Sequence, residues 1–320
     1  MRLETKRHIF KFYFSVIFGF LFFFLMGIFS ISQFFDDEEK LKAGNKIYLI
    51  LLLGIVFVAL AFYTISQYIK SSPKIIIERN RIFFNKESFN LNDIQFLNLT
   101  CKVPFRYILK FPMEGFYIEF KNGTEKFIYD DMYSNVWEIK DYLKQVVEDK
   151  KEYKSSNFQA VKLIEIKNVH FAYYKGIFNL LTLRGILLWV MVLLCLGILS
   201  KLLQKQPLSL LAIAFITFPI LLWYYVSAWL MHYYGISRNY FIVKNFYLPW
   251  RVRVFRLEEI EEIVFEQQQR SPNGLRVISK NYQTKLFYGG TLSDNHWREL
   301  KKDLRKKGIK VRDECIDYEY

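Results

Sequence analysis

A chain of 320 residues that is 52% hydrophobic, 24% charged and carries a net charge of +14 has room for about two domains. This mixture argues against a fully embedded bundle and suggests a membrane protein with substantial water-facing parts. The positive excess calls for an anionic surrounding, and beside apolar spans the cytoplasmic membrane surface is a simpler one than nucleic acid.

The chain opens with Arg2, Lys6, Arg7 and Lys11 and continues as an apolar run, Phe12–Ile31. The run reaches the ~20 residues a spanning helix needs, and no small-residue cleavage site precedes Asp36, Asp37, Glu38 and Glu39, so a retained helix is expected rather than a signal peptide. A second run, Ile47–Ile69, follows a short loop and is itself followed by Lys70, Lys74, Arg79 and Arg81. Basic flanks and an acidic connecting loop place both ends of this hairpin in the cytoplasm. Two further runs, Leu183–Ser200 and Leu208–Met231, predict a second hairpin of the same orientation. Lys201 and Lys205 in its outer loop oppose that orientation, but Lys167, Lys175 and Arg184 before it and Arg238, Lys244, Arg251, Arg253 and Arg256 after it outweigh them. No Asp or Glu interrupts any of the four runs, which argues against a pump or ion-coupled transporter.

After each hairpin comes a water-facing, β-rich stretch. Lys74–Ile77 and Arg81–Phe84 flank a polar Arg79-Asn80 turn, and Phe116–Phe120 and Lys126–Tyr129 flank Asn122-Gly123, a strong hairpin signal. Ser134-Asn135 reads as a helix cap before Val136, Ile139, Leu143 and Val146, which recur at helical spacing.

The second half repeats the first. Ile77–Asn80 matches Ile236–Asn239, and Gly115–Tyr129 matches Gly274–Tyr288 without a gap. Lys121, Asn122, Lys126 and Tyr129 fall on Lys280, Asn281, Lys285 and Tyr288. Between these blocks Phe89, Leu91, Asp93 and Ile94 correspond to Phe255, Leu257, Glu259 and Ile260, and Trp137 to Trp297, just inside closing helices that Ser134-Asn135 and Ser293-Asp294 would cap. An internal duplication accounts for the ordered set.

Strands closed by one C-terminal amphipathic helix, with the Phe-x-Leu-x-Asp/Glu-Ile signature and the Trp-bearing helix in both copies, resemble the bacterial membrane proteins that carry a pleckstrin-homology-like (PH-like) domain after a transmembrane hairpin. The resemblance implies an α+β membrane protein of four transmembrane helices, in two hairpins, plus two PH-like β-barrels each closed by a C-terminal helix. It implies a membrane-bound accessory or scaffold role and no catalytic motif. Phosphoinositide binding is not carried over, because neither copy has a clear basic first-hairpin pattern for it. The expected organisation is hairpin 1 at 1–72, module 1 at 73–149, linker at 150–175, hairpin 2 at 176–234, module 2 at 235–314 and a tail at 315–320.

Candidate contacts are basic. Arg251 and Arg253 alternate with Val252 and Val254, so one strand face would carry both, with Arg256 nearby. Each basic group near anionic headgroups contributes ~1 kcal/mol, although a solvated strand face is the preferred reading over specific binding. Lys301, Lys302, Arg305, Lys306 and Lys307 make the closing helix densely basic, which also suits a solvated helix end. No nucleic-acid partner is expected, since Phe116, Phe120, Phe127 and Phe287 fall where a barrel core needs them. Cys101, Cys195 and Cys315 and the scattered His8, His170, His232 and His296 have no ligand spacing, and no phosphate loop, GxSxG or HExxH occurs, so no metal, cofactor or catalytic residue is assigned. The leading expectation is a non-enzymatic scaffold of the cytoplasmic membrane presenting two cytoplasmic modules to a protein partner. Recognition of anionic lipid headgroups is the alternative. A transporter or enzyme using Asn179, Thr182 and Thr217 comes third, and oligomeric state is left open.

Overall fold

The two most apolar runs form helices α1 (Ser15–Phe35) and α2 (Lys46–Ser71) of the computed structural model, which describes residues 2–36, 44–155, 161–176, 182–205, 210–267 and 273–315. Both are long and apolar enough to cross a membrane, with mean hydropathy of 2.5 over Ile9–Phe35 and 2.6 over Lys46–Ser71. A π-helical turn, Ile9–Phe14, leads into α1. The helices pack closely because glycines meet: a Cβ on Gly27 would lie 2.9 Å from the Gly54 carbonyl oxygen, and one on Gly54 would lie 3.0 Å from that of Gly27. Ser30 and Thr64 donate to Met26 and Leu60 of their own helices, so their hydroxyls cost the apolar surface little.

The chain divides into two units, Met1–Ser156 and Asn157–Tyr320. In the first, strands β1 (Arg2–Glu4), β2 (Ile75–Glu78), β3 (Arg81–Phe84) and β4 (Glu87–Asn90) form one sheet in that order. Strands β5 (Ile94–Arg106), β6 (Lys110–Phe120) and β7 (Glu125–Tyr129) form a second, and α3 (Val136–Leu143) follows. Ile75, Ile77, Ile82, Phe116, Ile118, Phe120, Ile139 and Leu143 are buried, drawn from both sheets and the helix.

The second unit repeats the plan. Its first sheet orders β8 (Ala172–Tyr174), β9 (His232–Ile236), β10 (Tyr240–Asn245) and β11 (Val252–Arg256) as neighbours in sequence. Its second joins β12 (Ile260–Glu266), β13 (Gly274–Ser279) and β14 (Thr284–Tyr288), and α6 (Asp294–Lys306) follows. Tyr234, Phe241, Phe265, Phe287, Trp297 and Leu300 share one core. Helices α4 (Leu183–Lys205) and α5 (Leu210–Leu230) separate β8 from β9, and their described apolar stretches, Gly185–Ser200 and Thr217–Leu230, are shorter than those of the first pair. Six α-helices and four sheets among the described residues make the chain α+β.

Strand β1 precedes the first helical pair yet pairs with β2, which follows it, with Leu3 opposite Ile77. Likewise β8, in the stretch read as linker, pairs with β9, with Ala172 opposite Ile236. Each helical pair is therefore an insertion between two adjacent strands of one sheet. Three-residue strands with no apolar alternation give no periodic signal, so the sequence does not announce them. Nor does it announce β15 (Lys310–Glu314), five residues with Val311 as the one apolar side chain, which returns after α6 to lie parallel to β12.

Two local expectations change in detail. Asn135 does not cap α3; its Oδ1 accepts from the Lys6 amide (2.7 Å) and its Nδ2 donates to the Glu4 carbonyl (2.9 Å), so it fastens the segment after β1. In the second copy Ser293 Oγ does cap, accepting from the His296 amide at 3.4 Å. The Phe-x-Leu-x-Asp/Glu-Ile signature straddles a corner rather than lying along a strand: Leu91–Asp93 and Leu257–Glu259 are single 3-10 turns between β4 and β5 and between β11 and β12.

Candidate functional site

The edges of the second unit's two sheets, β11 and β14, border a cleft of about 200 Å³. Arg253, Lys285, Ser279, Gln283 and Glu259 supply its polar lining, and Val161 and Leu163 cover one side. Alternation along β11 turns Arg253 outward, so it stays exposed. Lys285 stands on β14 opposite Val277 and opens to solvent at the cleft. The walls strip part of the water from its ammonium and the Arg253 guanidinium repels it, so its pKa lies below the usual lysine value.

The basic residues singled out in the sequence separate here. Arg256 is claimed by Glu259 (2.9 Å) and Glu165 (3.3 Å). Lys301 pairs with Asp313 and lies 5.5 Å from the centre of the Phe265 ring. Arg251, Lys302 and Arg305 are exposed. The cleft takes Arg253 but none of Lys301, Lys302 and Arg305. Lys285 is the member that charge clustering missed, because it is separated in sequence from the arginines; the repeat contains the signal, since Lys285 aligns with Lys126.

In the first unit the equivalent position is neutralised. Lys126 Nζ lies 2.5 Å from Glu87 Oε2 and over the rings of Phe84 (5.7 Å) and Phe89 (5.5 Å). Strand register fixes the equivalence. Glu87 pairs with Phe84 and Arg253 with Val243, while Lys126 pairs with Ile118 and Lys285 with Val277.

Of the polar residues that suggested an intramembrane site, Asn179 lies outside the described residues and Thr217 donates to the Ile213 carbonyl on its own helix at 2.9 Å. The Thr182 hydroxyl accepts from the Gly185 amide at 3.3 Å. Residues 268–272, between β12 and β13, also lie outside the described residues. Among the described residues none of the three cysteines forms a disulfide. Phe116, Phe120 and Phe287 are buried, whereas Phe127 is half-buried and its neighbour Ile128 takes the core position.

Comparison with protein-family models, characterised proteins and solved structures found no match to this chain.

Proposed function

We propose that this chain is a non-enzymatic scaffold of the cytoplasmic membrane, in which two helical hairpins hold two PH-like modules against the inner leaflet for a protein partner. The observation that carries the reading is the insertion of each helical pair between adjacent, hydrogen-bonded strands, β1 with β2 and β8 with β9. A module tied at both ends of its hairpin cannot swing freely, as one on a single linker would. Side chains reinforce the tie: Arg7 Nη2 donates to the Ser72 carbonyl (2.9 Å) and Asn245 Nδ2 to that of Ala228 (2.5 Å).

The β5–β6 hairpin supports close membrane apposition in the first unit. Its tip leans on α2, where Tyr107 and Thr64 hydroxyls lie 2.5 Å apart and Tyr63 donates to the Tyr107 carbonyl. Thr64 is about two turns inside the end of α2, so the exposed Ile108 and Leu109 at the tip reach the level of the apolar helix, flanked by Arg106 and Lys110. Four crossings, cytoplasmic termini and a PH-like identity for the modules complete the proposal. They rest on the apolar runs, the basic flanks, and the order of four strands, three strands and a helix found in both units.

The test is purification of the full chain from its native membrane in mild detergent, with bound proteins and lipids both identified. A protein recovered in fixed ratio is expected. Enrichment of one anionic lipid without any protein would replace the scaffold by lipid recognition.

A further inference from the structure

Duplication supplies an internal control for the aligned residues of the modules, and the two copies differ in the sign of charge where Glu87 meets Lys126. Glu87 and Lys126 of the first module cancel each other; Arg253 and Lys285 stand in their places in the second and add. Like charges facing one cleft oppose folding, and among the described residues neither side chain has a carboxylate within ion-pair distance. Glu259, which also borders the cleft, is engaged by Arg256, which in turn also holds Glu165. An arrangement that is unfavourable alone and would be relieved by an anion is the ordinary form of an anion site.

We infer that the cleft between β11 and β14 binds a phosphate-type oxyanion, with Arg253 and Lys285 as its two cationic contacts. The pairing suits this chemistry. A guanidinium presents parallel donors that match two oxygens of a tetrahedral anion, and an ammonium adds a compact point charge. The exposed Gln283 side chain at the rim offers a neutral amide donor. A cleft of about 200 Å³ takes a phosphate or a phosphate ester but not a large organic ligand. The first module, whose own lysine is already neutralised by Glu87, does not bind. This site is a property of the second module alone and does not depend on the protein partner of the scaffold reading.

Acylation of individual lysines in the full chain, quantified by mass spectrometry, reads the site directly, with the exposed Lys302 as reference. An anion that raises the Lys285 pKa by about one unit cuts its reactive free-amine fraction roughly tenfold. Inorganic phosphate in nonionic micelles is expected to slow Lys285 acylation by about that factor relative to chloride at equal ionic strength, without slowing Lys302. Arg253→Glu, which restores the first module's pairing, is expected to abolish the phosphate effect. Phosphate-free nanodiscs separate the sources. Slower acylation in phosphatidylglycerol than in phosphatidylcholine assigns the anion to lipid headgroups, whereas slowing by inorganic phosphate alone assigns it to a soluble phosphate. Equal Lys285 rates in all conditions, or phosphate protection undiminished in Arg253→Glu, would overturn the inference.

Discussion

Lys140 Nζ lies 2.7 Å from the Asp130 carboxylate, and both side chains are buried, beneath the ring of Phe116. In the second module Gly289 follows Tyr288 where Asp130 follows Tyr129, so that copy lacks the carboxylate, and its closing helix packs on the core through Leu300 and Leu304. Breaking a buried pair from one side leaves an uncompensated charge and costs about 3–5 kcal/mol, whereas replacing both partners by apolar groups is close to neutral. Lys140→Leu is therefore expected to lower the melting temperature of the full chain in detergent sharply, and Lys140→Leu with Asp130→Ala to recover most of the loss. Equal destabilisation by single and double variants would show that the pair does not act as a unit.

The contact of Gly27 with Gly54 gives a second expectation. A methyl at either position meets backbone, which cannot rotate away, so Gly54→Ala forces α1 and α2 apart at a cost of about 1–3 kcal/mol. Gly197→Ala, where nothing among the described residues lies within 4 Å, is expected to be neutral or slightly stabilising. Unfolding of the full chain in mixed micelles compares the two, and similar behaviour would contradict the tight crossing.

His232 lies beside the Tyr288 carbonyl (3.2 Å) and against the Phe287 ring. Burial, helped by Arg251 and opposed by the Tyr288 carbonyl, pushes its pKa from 6.5 down to about 4. The unfolded chain then binds more protons between those values, so stability is unaffected above pH 6.5 and falls as pH drops toward 4, by at most about 3 kcal/mol. His232→Gln is expected to flatten the acid side of the stability profile from pH 6.5 to 4; an unchanged profile would place the titration elsewhere.

Tyr174 on β8 donates a 2.5 Å hydrogen bond to Asp303 on α6. That bond, followed by Lys306 and Lys302, holds the Asp303 carboxyl below its usual pKa. A hydrogen bond to a charged group is worth about 1.5–3 kcal/mol, and here it fastens a strand of only three residues. Tyr174→Phe should speed amide exchange at Ala172–Tyr174 before exchange rises in β12 and β13. Uniform acceleration would mean that β8 does not open on its own.

What the sequence discloses follows the physical signal each element carries. Apolar runs announce α1 and α2, and Asn122-Gly123 announces its hairpin because Gly123 takes a φ of +76° that glycine adopts without strain. The matching turn in the second copy is obscured, since Tyr282 occupies the left-handed position at φ +61°. Strands β1, β8 and β15 were not legible, being short and held by partners distant in sequence. Arg253 was visible as part of a basic strand face. Its relation to Lys285 required the register of two sheets, and the loss of Arg256 and Lys301 to carboxylates required the positions of Glu165 and Asp313.

Because β1 lies before its helical pair and β2 after it, the first sheet cannot close until α2 has folded back along α1. A chain whose second helix failed to return would leave β2 with a bare edge, inviting proteolysis or pairing with a stray strand. Closure of the sheet is thus conditional on the helical pair: β1 and β2 join only in a chain whose two helices have folded back on each other, and β8 with β9 sets the same condition for the second half.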